Sequence, residues 1–305
     1  MRVVSLLPSA TEIVYALGVE PVGVSHECDH PPDAADLPSV VETYVDPEAT
    51  SAEINKQVAR AERAGGVYEL DMGTLAALDP DVVVSQGICD VCAVDRVLVR
   101  EAVEELGLDC EVVTTDPHAV GDVFDDIERI GAALDREARA ADLVADLRER
   151  VARVRATTDD IPAAERPRVA VLDWLDPVMV AGHWVPELVE WAGGTYGMAE
   201  HGAESRPREF AAVREYDPEV LVAAPCGFEL DQTFDNLDDL TAREGFAELT
   251  AVREDRAFAM DGHHYVNRPG PRLVETLEFL ARVIHPDRSE EPPADAVRPL
   301  ARTVA

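Results

Sequence analysis

Short apolar runs alternate with helical patterns along most of this chain, and that alternation restricts the possible folds more than any other feature. Runs such as Val82–Val84 and Val169–Leu172 are rich in β-branched residues, as buried strands are. Between such runs, apolar residues recur at spacings of three and four, which is typical of amphipathic helices. A regular alternation of strand and helix favours parallel sheets whose strands are connected by helices, so we predict an α/β fold.

The first dozen residues run from a short apolar strand directly into the start of a helix. Ser9 and Glu12 have the spacing of a capping box, in which each side chain accepts a backbone N–H bond at the helix start. Gly18 then marks the end of this helix. The helix N-terminus therefore lies at the carboxyl end of a strand, where open α/β sheets bind their ligands.

The length of 305 residues and the hydrophobic content of 47% favour two lobes. From Val123 to Val154 the apolar residues keep a helical spacing without a proline, which predicts one helix long enough to bridge two lobes. We expect two Rossmann-like lobes with parallel sheets joined by one long, rigid backbone helix. A final helix is predicted from Arg272 to Ile284, and the tail from Pro286 is expected to be loose. The predicted N-terminal lobe, connecting helix and C-terminal lobe span residues 1–118, 119–157 and 158–305.

One short pattern occurs twice in the chain. Asp79-Pro80-Asp81 and Asp217-Pro218-Glu219 each follow an apolar helical stretch and precede a valine-rich strand. Two related halves would place the loops after these strands at equivalent positions. Asp-Pro before a strand is also common turn chemistry, so the repeat alone leaves both interpretations open.

The charge balance is strongly acidic, with 61 Asp and Glu against 27 Lys and Arg and a formal net charge of −34. Nucleic acid is excluded as a partner, because no cationic face is present to neutralise phosphates. Such a surface repels itself at low ionic strength and is screened at high, so a halophilic host is expected. No apolar run approaches the ~18 residues of a membrane span, and no apolar leader segment precedes the first strand. We therefore expect a cytoplasmic protein, the alternative being an exported one whose signal peptide has been removed.

Four cysteines follow predicted strands. Cys89 and Cys92 form a C-x-x-C pair, and Cys28 and Cys226 stand in separate loops. This spacing can chelate zinc or iron, or can close a redox disulfide. The alternative is that each cysteine is a small buried residue, as we expect for Cys110 at the start of a strand.

Aromatic residues make up only 5% of the chain, so their positions are informative. Large flat side chains at strand ends commonly line ligand pockets. The aromatic residues predicted to lie in such loops are Tyr44, Trp174, Trp184, Phe228 and Tyr265. The adjacent pair His263 and His264 could supply a neutral imidazole to a metal or to the cobalt of a corrinoid. Alternatively, either histidine is a solvent-facing residue that is hydrogen-bonded to its own loop.

No set of residues indicates catalysis. The sequence contains no nucleophile elbow, phosphate-binding glycine loop, H-E-x-x-H or kinase-like motif. We therefore predict a protein that is not an enzyme. An enzyme acting on a corrinoid or tetrapyrrole precursor is a weaker alternative.

Several short motifs together closely resemble the periplasmic-binding-protein family, class III, that captures cobalamin and iron chelates for ABC importers. The motifs that carry the resemblance are Pro8-Ser9-Ala10-Thr11-Glu12, Pro21 to Pro32, Asp79-Pro80-Asp81, Gly193-Gly194 and Pro271-Arg272. The resemblance covers nearly the whole chain. It implies a substrate-binding protein that holds cobalamin, a related corrinoid or another metal chelate in the cleft between its lobes.

The same resemblance implies a set of ligand contacts. By position, they fall near Pro8, Glu27, Tyr44, Gln86, Ile88, Trp174 and Tyr265. The strand-end argument adds Ser9, Cys89, Trp184, Phe228 and His264. The competing hypothesis is a cytosolic metal-thiolate or redox protein that uses Cys28, Cys89, Cys92 and Cys226 as ligands.

The resemblance also implies an ABC permease as a partner. In the simplest family members each lobe offers a surface glutamate to arginines of the permease. The matching positions here are Gly73 and Ala211, so these docking glutamates are missing, although Asp71 and Glu209 stand close by. If no permease is present, the expected role is intracellular handling of corrinoids.

Overall fold

A computed structural model describes residues 1–47, 49–64, 66–87, 94, 96–288 and 290–300. The chain divides into two compact units, one formed by Met1–Pro117 with Gly121–Leu147 and the other by His118–Val120 with Arg148–Ala305. Within the described ranges, each unit contains one six-stranded sheet flanked by helices. The predicted α/β class with two largely parallel sheets is confirmed.

The first unit carries strands β1 to β6 in the sheet order β4-β3-β2-β1-β5-β6. Their bounds are Val3–Ser5, Gly23–Ser25, Ser39–Thr43, Tyr68–Leu70, Val82–Gln86 and Glu111–Thr115. All neighbouring strands are parallel except β3 and β4, which form an antiparallel edge. Because the parallel strands share a direction, the loops after β1, β2, β3 and β5 emerge at one edge of the sheet.

Among the described residues, five helices belong to the first unit, and a sixth leads into the second. Helices α1 to α6 span Pro8–Ala16, Ser51–Ala64, Met72–Leu78, Arg96–Leu106, Val120–Ala133 and Glu137–Thr158. The core between this sheet and its helices includes Val4 and Val83 from the strands, with Leu75 of α3 and Val99 of α4. These side chains are buried because each comes from the apolar face of its element.

The predicted capping box at Ser9 and Glu12 does not form. Helix α1 begins at Pro8, and its N-cap is Leu7, whose backbone is extended. Proline is well suited to the first helical position, because its φ is already helical and it has no N–H group to leave unpaired. Ser9 is therefore inside the first turn, where its hydroxyl cannot cap the helix.

The connecting segment differs from the single helix predicted over residues 119–157. It consists of α5 and α6, separated by a turn in which Asp135 adopts a left-handed conformation with φ of 55°. The backbone N–H of Arg136 bonds to the carbonyl of Gly131 at 2.7 Å, which closes the end of α5. Aspartate tolerates this conformation better than most side chains do, so the helix ends without the glycine that usually signals a stop.

The second unit carries strands β7 to β12 in the sheet order β12-β11-β10-β7-β8-β9. Their bounds are Val169–Leu175, Val178–Val180, Arg206–Pro207, Val220–Ala223, Ala257–Met260 and Val297–Pro299. Strands β7, β10 and β11 are parallel, and the outer strands β8, β9 and β12 are antiparallel to their neighbours. Helices α7 to α12 span Val185–Trp191, Phe210–Tyr216, Leu230–Asp235, Asp238–Thr241, Thr250–Arg253 and Leu273–Ile284.

The C-terminal tail, predicted to be loose, contributes an edge strand. Strand β12 pairs with β11 in an antiparallel register that sets Val297 opposite Met260. Its backbone groups make the pairing, so the acidic and proline-rich composition of the preceding tail does not prevent it. Proline is tolerated at Pro299 because β12 is the outermost strand of this sheet.

The repeated Asp-Pro pattern has the same geometry in both units. Asp79 and Asp217 end α3 and α8 with φ values of 44° and 45°. In the first unit the Arg2 backbone N–H bonds to the Asp81 carboxylate, and the Arg2 guanidinium lies 3.3 Å from Asp79. In the second unit Arg168 makes the equivalent backbone bond, to Glu219 at 3.0 Å, and its guanidinium bonds to the Asp217 carbonyl at 2.8 Å. This agreement favours two related halves over a coincidence of turn chemistry.

A membrane-spanning helix is not found among the described residues, since none of their helices is both long and apolar enough.

Candidate functional site

In the first unit, the predicted ligand-binding residues lie at the carboxyl edge of the parallel strands. Pro8 and Ser9 begin α1 shortly after β1, Glu27 follows β2, and Tyr44 follows β3. Gln86 is the last residue of β5 and is buried. The structure thus brings these side chains to one edge of the sheet. Ile88, Cys89 and Cys92 lie outside the described residues.

Glu27 is positioned by an aromatic residue from a different strand. The hydroxyl of Tyr68 donates to its carboxylate at 3.2 Å. His26 bonds through Nδ1 to the Val41 carbonyl at 2.9 Å, and its Nε2 lies 3.7 Å from Glu27. This carboxylate, about one-third exposed, can therefore present an oriented acceptor to a polar ligand group.

Tyr44 is the most exposed aromatic residue of the first unit, with 61% of its surface accessible. Its hydroxyl donates to the Glu69 carboxylate, and this hydrogen bond raises the pKa of Tyr44. Because the ring is anchored through its hydroxyl, its flat face is available for packing against a planar ligand.

In the second unit, an aromatic pair forms where two neighbouring strands end. Trp174 near the end of β7 and Phe228 in the loop after β10 have ring centroids 5.2 Å apart. The indole N–H of Trp174 donates to the Asp176 carbonyl at 3.1 Å, whereas Phe228 is almost fully buried. Phe228 therefore supports Trp174, whose half-buried indole is the surface of the pair that a ligand could contact.

The loop after β11 contains a single turn of π-helix, Gly262–Val266, that carries both histidines and Tyr265. Such turns are rare and occur often at functional sites. Asp261 caps this turn by accepting the backbone N–H of His264 at 2.7 Å. The same carboxylate lies 2.7 Å from Nδ1 of His264. A carboxylate can only accept, so Nδ1 carries the proton and the ring is fixed in orientation.

His263 is held in the opposite tautomer. The guanidinium of the buried Arg268 lies 3.0 Å from its Nε2. An arginine has only donors, so Nε2 of His263 is the acceptor and its proton is on Nδ1. The two imidazole rings meet edge to face, with centroids 4.7 Å apart.

Close packing against the neighbouring loop fixes this turn. A Cβ atom at Gly262 would collide with the carbonyl oxygens of Ala224 and Pro225. The backbone N–H groups of Gly262 and His263 both donate to the Phe228 carbonyl, at 3.1 and 3.0 Å. The absence of a side chain at Gly262 therefore lets the loops after β10 and β11 pack as one body.

Tyr265 and Trp184 have different surroundings in this region. Tyr265 is half-buried between the guanidinium of Arg272, 5.2 Å from its ring centroid, and the ring of Phe279 at 5.1 Å. Its burial raises its pKa. Trp184 is almost completely buried, and its indole N–H donates to the Val266 carbonyl at 2.9 Å. Trp184 thus supports the π-helical turn from the interior of the unit.

The described cysteines do not form a metal site. Cys28 is buried beside Val24 and Ala34, with its sulfur 3.0 Å from the Thr11 hydroxyl. Cys110 packs against the core of the first unit, and burial raises its pKa. Cys226 is exposed in the second unit. Among the described residues, no cysteine belongs to a group of three metal-ligating side chains.

The two acidic residues near the missing docking glutamates occupy equivalent positions. Asp71 is the N-cap of α3, accepts the backbone N–H of Thr74 at 2.9 Å, and has a pKa lowered by its bonds to Thr74. Glu209 is the N-cap residue of α8, the corresponding helix of the second unit. Gly73 and Ala211 follow in the first turns of these helices.

Comparison with known proteins decides the family, since residues 3–263 match its sequence profile. The chain belongs to the periplasmic binding protein family. It is 25% identical over 95% of its length to an uncharacterised ABC transporter substrate-binding lipoprotein, YvrC, of Bacillus subtilis, covering 82% of that protein. It is 24% identical to the vitamin B12-binding protein of Vibrio parahaemolyticus, over 90% of this chain and 86% of that one. It is 26% identical to a cobalamin-binding protein of Halobacterium salinarum, over 93% of this chain and 69% of that one.

Solved structures agree with the fold. A periplasmic heme binding protein from Pseudomonas aeruginosa superposes with a TM-score of 0.72 at 21% identity, covering 98% of both chains. The family consists of binding proteins, so the expectation that this chain is not an enzyme is confirmed.

The expectation of a cytoplasmic protein is wrong. The family is periplasmic, and one of the relatives is a lipoprotein of an ABC transporter, which points to export. That expectation was based on the lack of a membrane-spanning apolar run and on the start of the sequence as given, and neither reports where a binding protein works. Zinc or iron at the cysteines is likewise not supported by the family or by the described thiols.

Proposed function

We propose that this protein is the substrate-binding component of an ABC importer and that its ligand is a corrinoid, either cobalamin or a close relative. Two of the relatives are named for vitamin B12 or cobalamin, and both align over at least 90% of this chain. The observation that carries the proposal is the strand-end surface of the second unit. There an aromatic pair, Trp174 with Phe228, stands beside a turn that holds an oriented imidazole at His264. Flat apolar surface with a few fixed polar groups is what a large planar chelate requires.

The proposed contacts are distributed over both units. In the first unit they are Pro8, Ser9, Glu27, Tyr44, Gln86, Ile88 and Cys89. In the second unit they are Trp174, Trp184, Phe228, His264 and Tyr265. Tyr44 and Trp174 would pack against the ligand, and Glu27 would accept from its amide groups. Trp184 and Phe228 would act mainly by supporting the groups in front of them.

Heme is a second candidate, because the same imidazole would suit an iron porphyrin and a heme-binding protein shares the fold. Isothermal titration calorimetry in molar KCl with cobalamin, cobinamide, hemin and a ferric trihydroxamate distinguishes these ligands. We expect at least one corrinoid to bind with a dissociation constant below ~100 μM, about −5.5 kcal/mol. Binding of hemin or the trihydroxamate without either corrinoid would reject the corrinoid proposal.

Variants connect that measurement to the strand-end surface. Trp174→Ala should weaken corrinoid binding at least tenfold, about 1.4 kcal/mol, because it removes the accessible indole of the aromatic pair. Trp191→Ala is the matched control. That indole lies on α7, covered by the guanidinium of Arg155 at 5.3 Å, so its loss should leave the affinity unchanged.

For the permease partner, we propose that Asp71 and Glu209 replace the missing docking glutamates. Both stand at the start of equivalent helices, α3 and α8. Asp71→Asn keeps a side chain that can cap the helix and removes only the charge. Combined with Glu209→Gln, it should reduce ligand uptake by a reconstituted permease without changing the affinity of the free protein. Glu215→Gln, at an exposed position of the same α8, is the control expected to transport normally.

A further inference from the structure

The indole of Trp174 is held by a hydrogen bond as well as by ring packing. Its Nε1 donates to the Asp176 carbonyl at 3.1 Å, and its ring lies against Phe228 with centroids 5.2 Å apart. A tryptophan side chain turns about two bonds, and contacts at two different points of the ring fix both of them. The direction of the accessible indole face therefore depends on where the Asp176 carbonyl lies.

Asp176 lies in the tight turn between β7 and β8. Leu175 and Val178 pair across this turn, so Asp176 and Pro177 form the whole connection. Pro177 is exposed and has no backbone N–H group to donate. Connections between strands are more mobile than the strands themselves, so a contact from another element is what can fix the Asp176 carbonyl.

Arg243 supplies such a contact from the segment that follows α10. Its Nη2 donates to the Leu175 carbonyl and to the Asp176 carboxylate, both at 2.8 Å. Its Nε donates to the Asp239 carbonyl at 2.7 Å, which ties the arginine to its own helix. The Arg243 side chain is only 26% exposed, and a hydrogen bond between two ionised groups is stronger than a neutral one. The guanidinium thus connects α10 to the turn that carries the Asp176 carbonyl.

We infer that Arg243 is a positioning residue for the ligand: it holds the β7–β8 turn and, through the Asp176 carbonyl, sets the orientation of the Trp174 indole. The inference rests on the proposed function only in taking Trp174 as a ligand contact. Arg243 acts through Asp176 and does not touch the ligand. Holding the indole in advance favours binding, because a side chain that rotates freely must be immobilised when the ligand binds.

Tryptophan fluorescence of the ligand-free protein tests the first step. Subtracting the spectrum of Trp174→Phe isolates the emission of Trp174 from that of Trp184 and Trp191, and the same subtraction is made in the Arg243→Ala background. Arg243→Ala should shift the Trp174 emission to longer wavelength and make it easier to quench with acrylamide, because the released indole meets more water. Arg243→Lys should restore part of the difference, since an ammonium can still donate to one of the two acceptors.

Titration calorimetry with cobalamin, cobinamide and hemin tests the second step. Arg243→Ala should weaken binding of the probe that the wild type binds most tightly by at least about threefold, and by no more than Trp174→Ala does. In a Trp174→Ala background the same substitution should have no further effect, because the side chain that it positions is absent. A purely structural role of Arg243 would instead lower the affinity equally in both backgrounds.

Arg256→Ala is the matched control for the loss of a partly buried arginine. Arg256 directly precedes β11, at the opposite edge of the same sheet from Trp174, and its Nη2 donates to the Ile284 carbonyl at 2.8 Å. Its loss should lower the thermal midpoint, as the loss of Arg243 does. It should leave both the Trp174 emission and the affinity for the probe unchanged.

The outcomes separate this inference from the proposed function. Unchanged Trp174 emission or unchanged affinity in Arg243→Ala, or an equal loss of affinity with and without Trp174, overturns the inference and leaves the corrinoid proposal intact. Binding of hemin without either corrinoid, with an Arg243 effect that depends on Trp174, overturns the corrinoid proposal and supports the inference. Binding of none of the probes overturns both.

Discussion

Asp173 is a carboxylic acid with almost no access to solvent, one residue before the tryptophan of the aromatic pair. Its Oδ1 has no hydrogen-bond partner in the described part of the chain, and the nearby Ser205 hydroxyl only partly offsets the effect of burial on its pKa. Burial raises its pKa to about 6, because the charged form loses its hydration. The hydroxyl of Tyr196, also buried, has its pKa raised mainly by its own burial and further by this carboxylate.

This burial gives the first prediction, that Asp173→Asn stabilises the protein above pH 6. Because the folded pKa is above the ordinary value near 3.8, folding retains a proton that the unfolded chain releases between pH 4 and 6. Stability from this group therefore falls as the pH rises through that interval, by up to about 3 kcal/mol at roughly 1.4 kcal/mol per unit of pKa. The asparagine variant should lose that part of the pH dependence.

Thermal unfolding of both proteins between pH 4 and 8 in molar KCl measures the difference. Asp125→Asn, at an exposed position of α5, controls for the general effect of removing one negative charge. Parallel pH profiles for the wild type and Asp173→Asn would show that the carboxylate is hydrated or paired in the folded protein.

At the residue scale, sequence reasoning found candidates for the site but not the way they are held. Tyr44, Trp174 and His264 were recognisable because aromatic and imidazole groups after strands are uncommon in a chain with 5% aromatic residues. The roles of Asp261 and Arg268 depend on which ring nitrogen each one faces, and spacing alone does not give that. An aspartate directly before Gly-His-His-Tyr was the available signal, since aspartate is a common helix cap.

The burial of Trp184 could not be predicted from the sequence either. Its position after a strand suggested a ligand contact, but its indole N–H donates inward to the Val266 carbonyl. The direction in which this side chain points depends on how the start of α7 packs, and sequence does not fix that direction.

At the scale of elements, α5 ends without a sequence signal for a helix stop, and the close packing of the next helix accompanies its end. Gly131 lies in the last turns of α5, where an added Cβ would come within 2.5 Å of the Cβ of Ala140 in α6. The glycine therefore allows the two helices to approach each other directly after the turn at Asp135. The unbroken apolar spacing predicted one helix, because periodicity continues through a turn this short.

This contact gives a prediction with a control in the same helix. Gly131→Ala should destabilise the protein by about 1 kcal/mol, because overpacking typically costs 1–3 kcal/mol and alanine regains up to about 1 in helix propensity. Gly121→Ala, where an added Cβ meets nothing within 4 Å, should stabilise by up to about 1 kcal/mol. Shifts of the same sign in the thermal midpoint of both variants would contradict the close approach.

Most other elements followed their patterns closely. The final helix was predicted from Arg272 and is observed at Leu273–Ile284, and the strand predicted at Val169–Leu172 is β7, Val169–Leu175. These elements have strong apolar periodicity and clear ends. The edge strand β12 has neither of these sequence signals. It forms through backbone pairing with β11, which the side-chain pattern does not reveal.

At the scale of the whole molecule, equivalent arginine contacts in both units indicate that the two units are structurally related halves. Arg2 and Arg168 each precede the central strand of their sheet and each bind the acidic Asp-Pro turn before the neighbouring strand. The short sequence repeat could not establish this, since Asp-Pro turns are common. The shared φ values at Asp79 and Asp217, with the arginine contacts, provide the missing evidence.

The net charge of −34 leads to the last prediction, that stability rises steeply with salt. Most carboxylates have no cation to pair with, so they repel one another in the compact state. Raising ionic strength from about 0.1 M to about 1 M shortens the screening length from about 10 Å to about 3 Å. That screening should raise the thermal midpoint by on the order of 10 °C, since a gain of 1 kcal/mol shifts a chain of this size by a few degrees.

Two features identify charge screening as the cause of this salt effect. The increase should level off above about 1 M KCl, because the screening length is by then shorter than the distance between most surface charges. It should also shrink strongly near pH 4.4, the isoelectric point of the sequence, where the repulsion is largely neutralised. A midpoint that keeps rising linearly with salt, equally at pH 4.4 and pH 7.5, would instead indicate a general salting-out effect, which acts on apolar surface and does not depend on net charge.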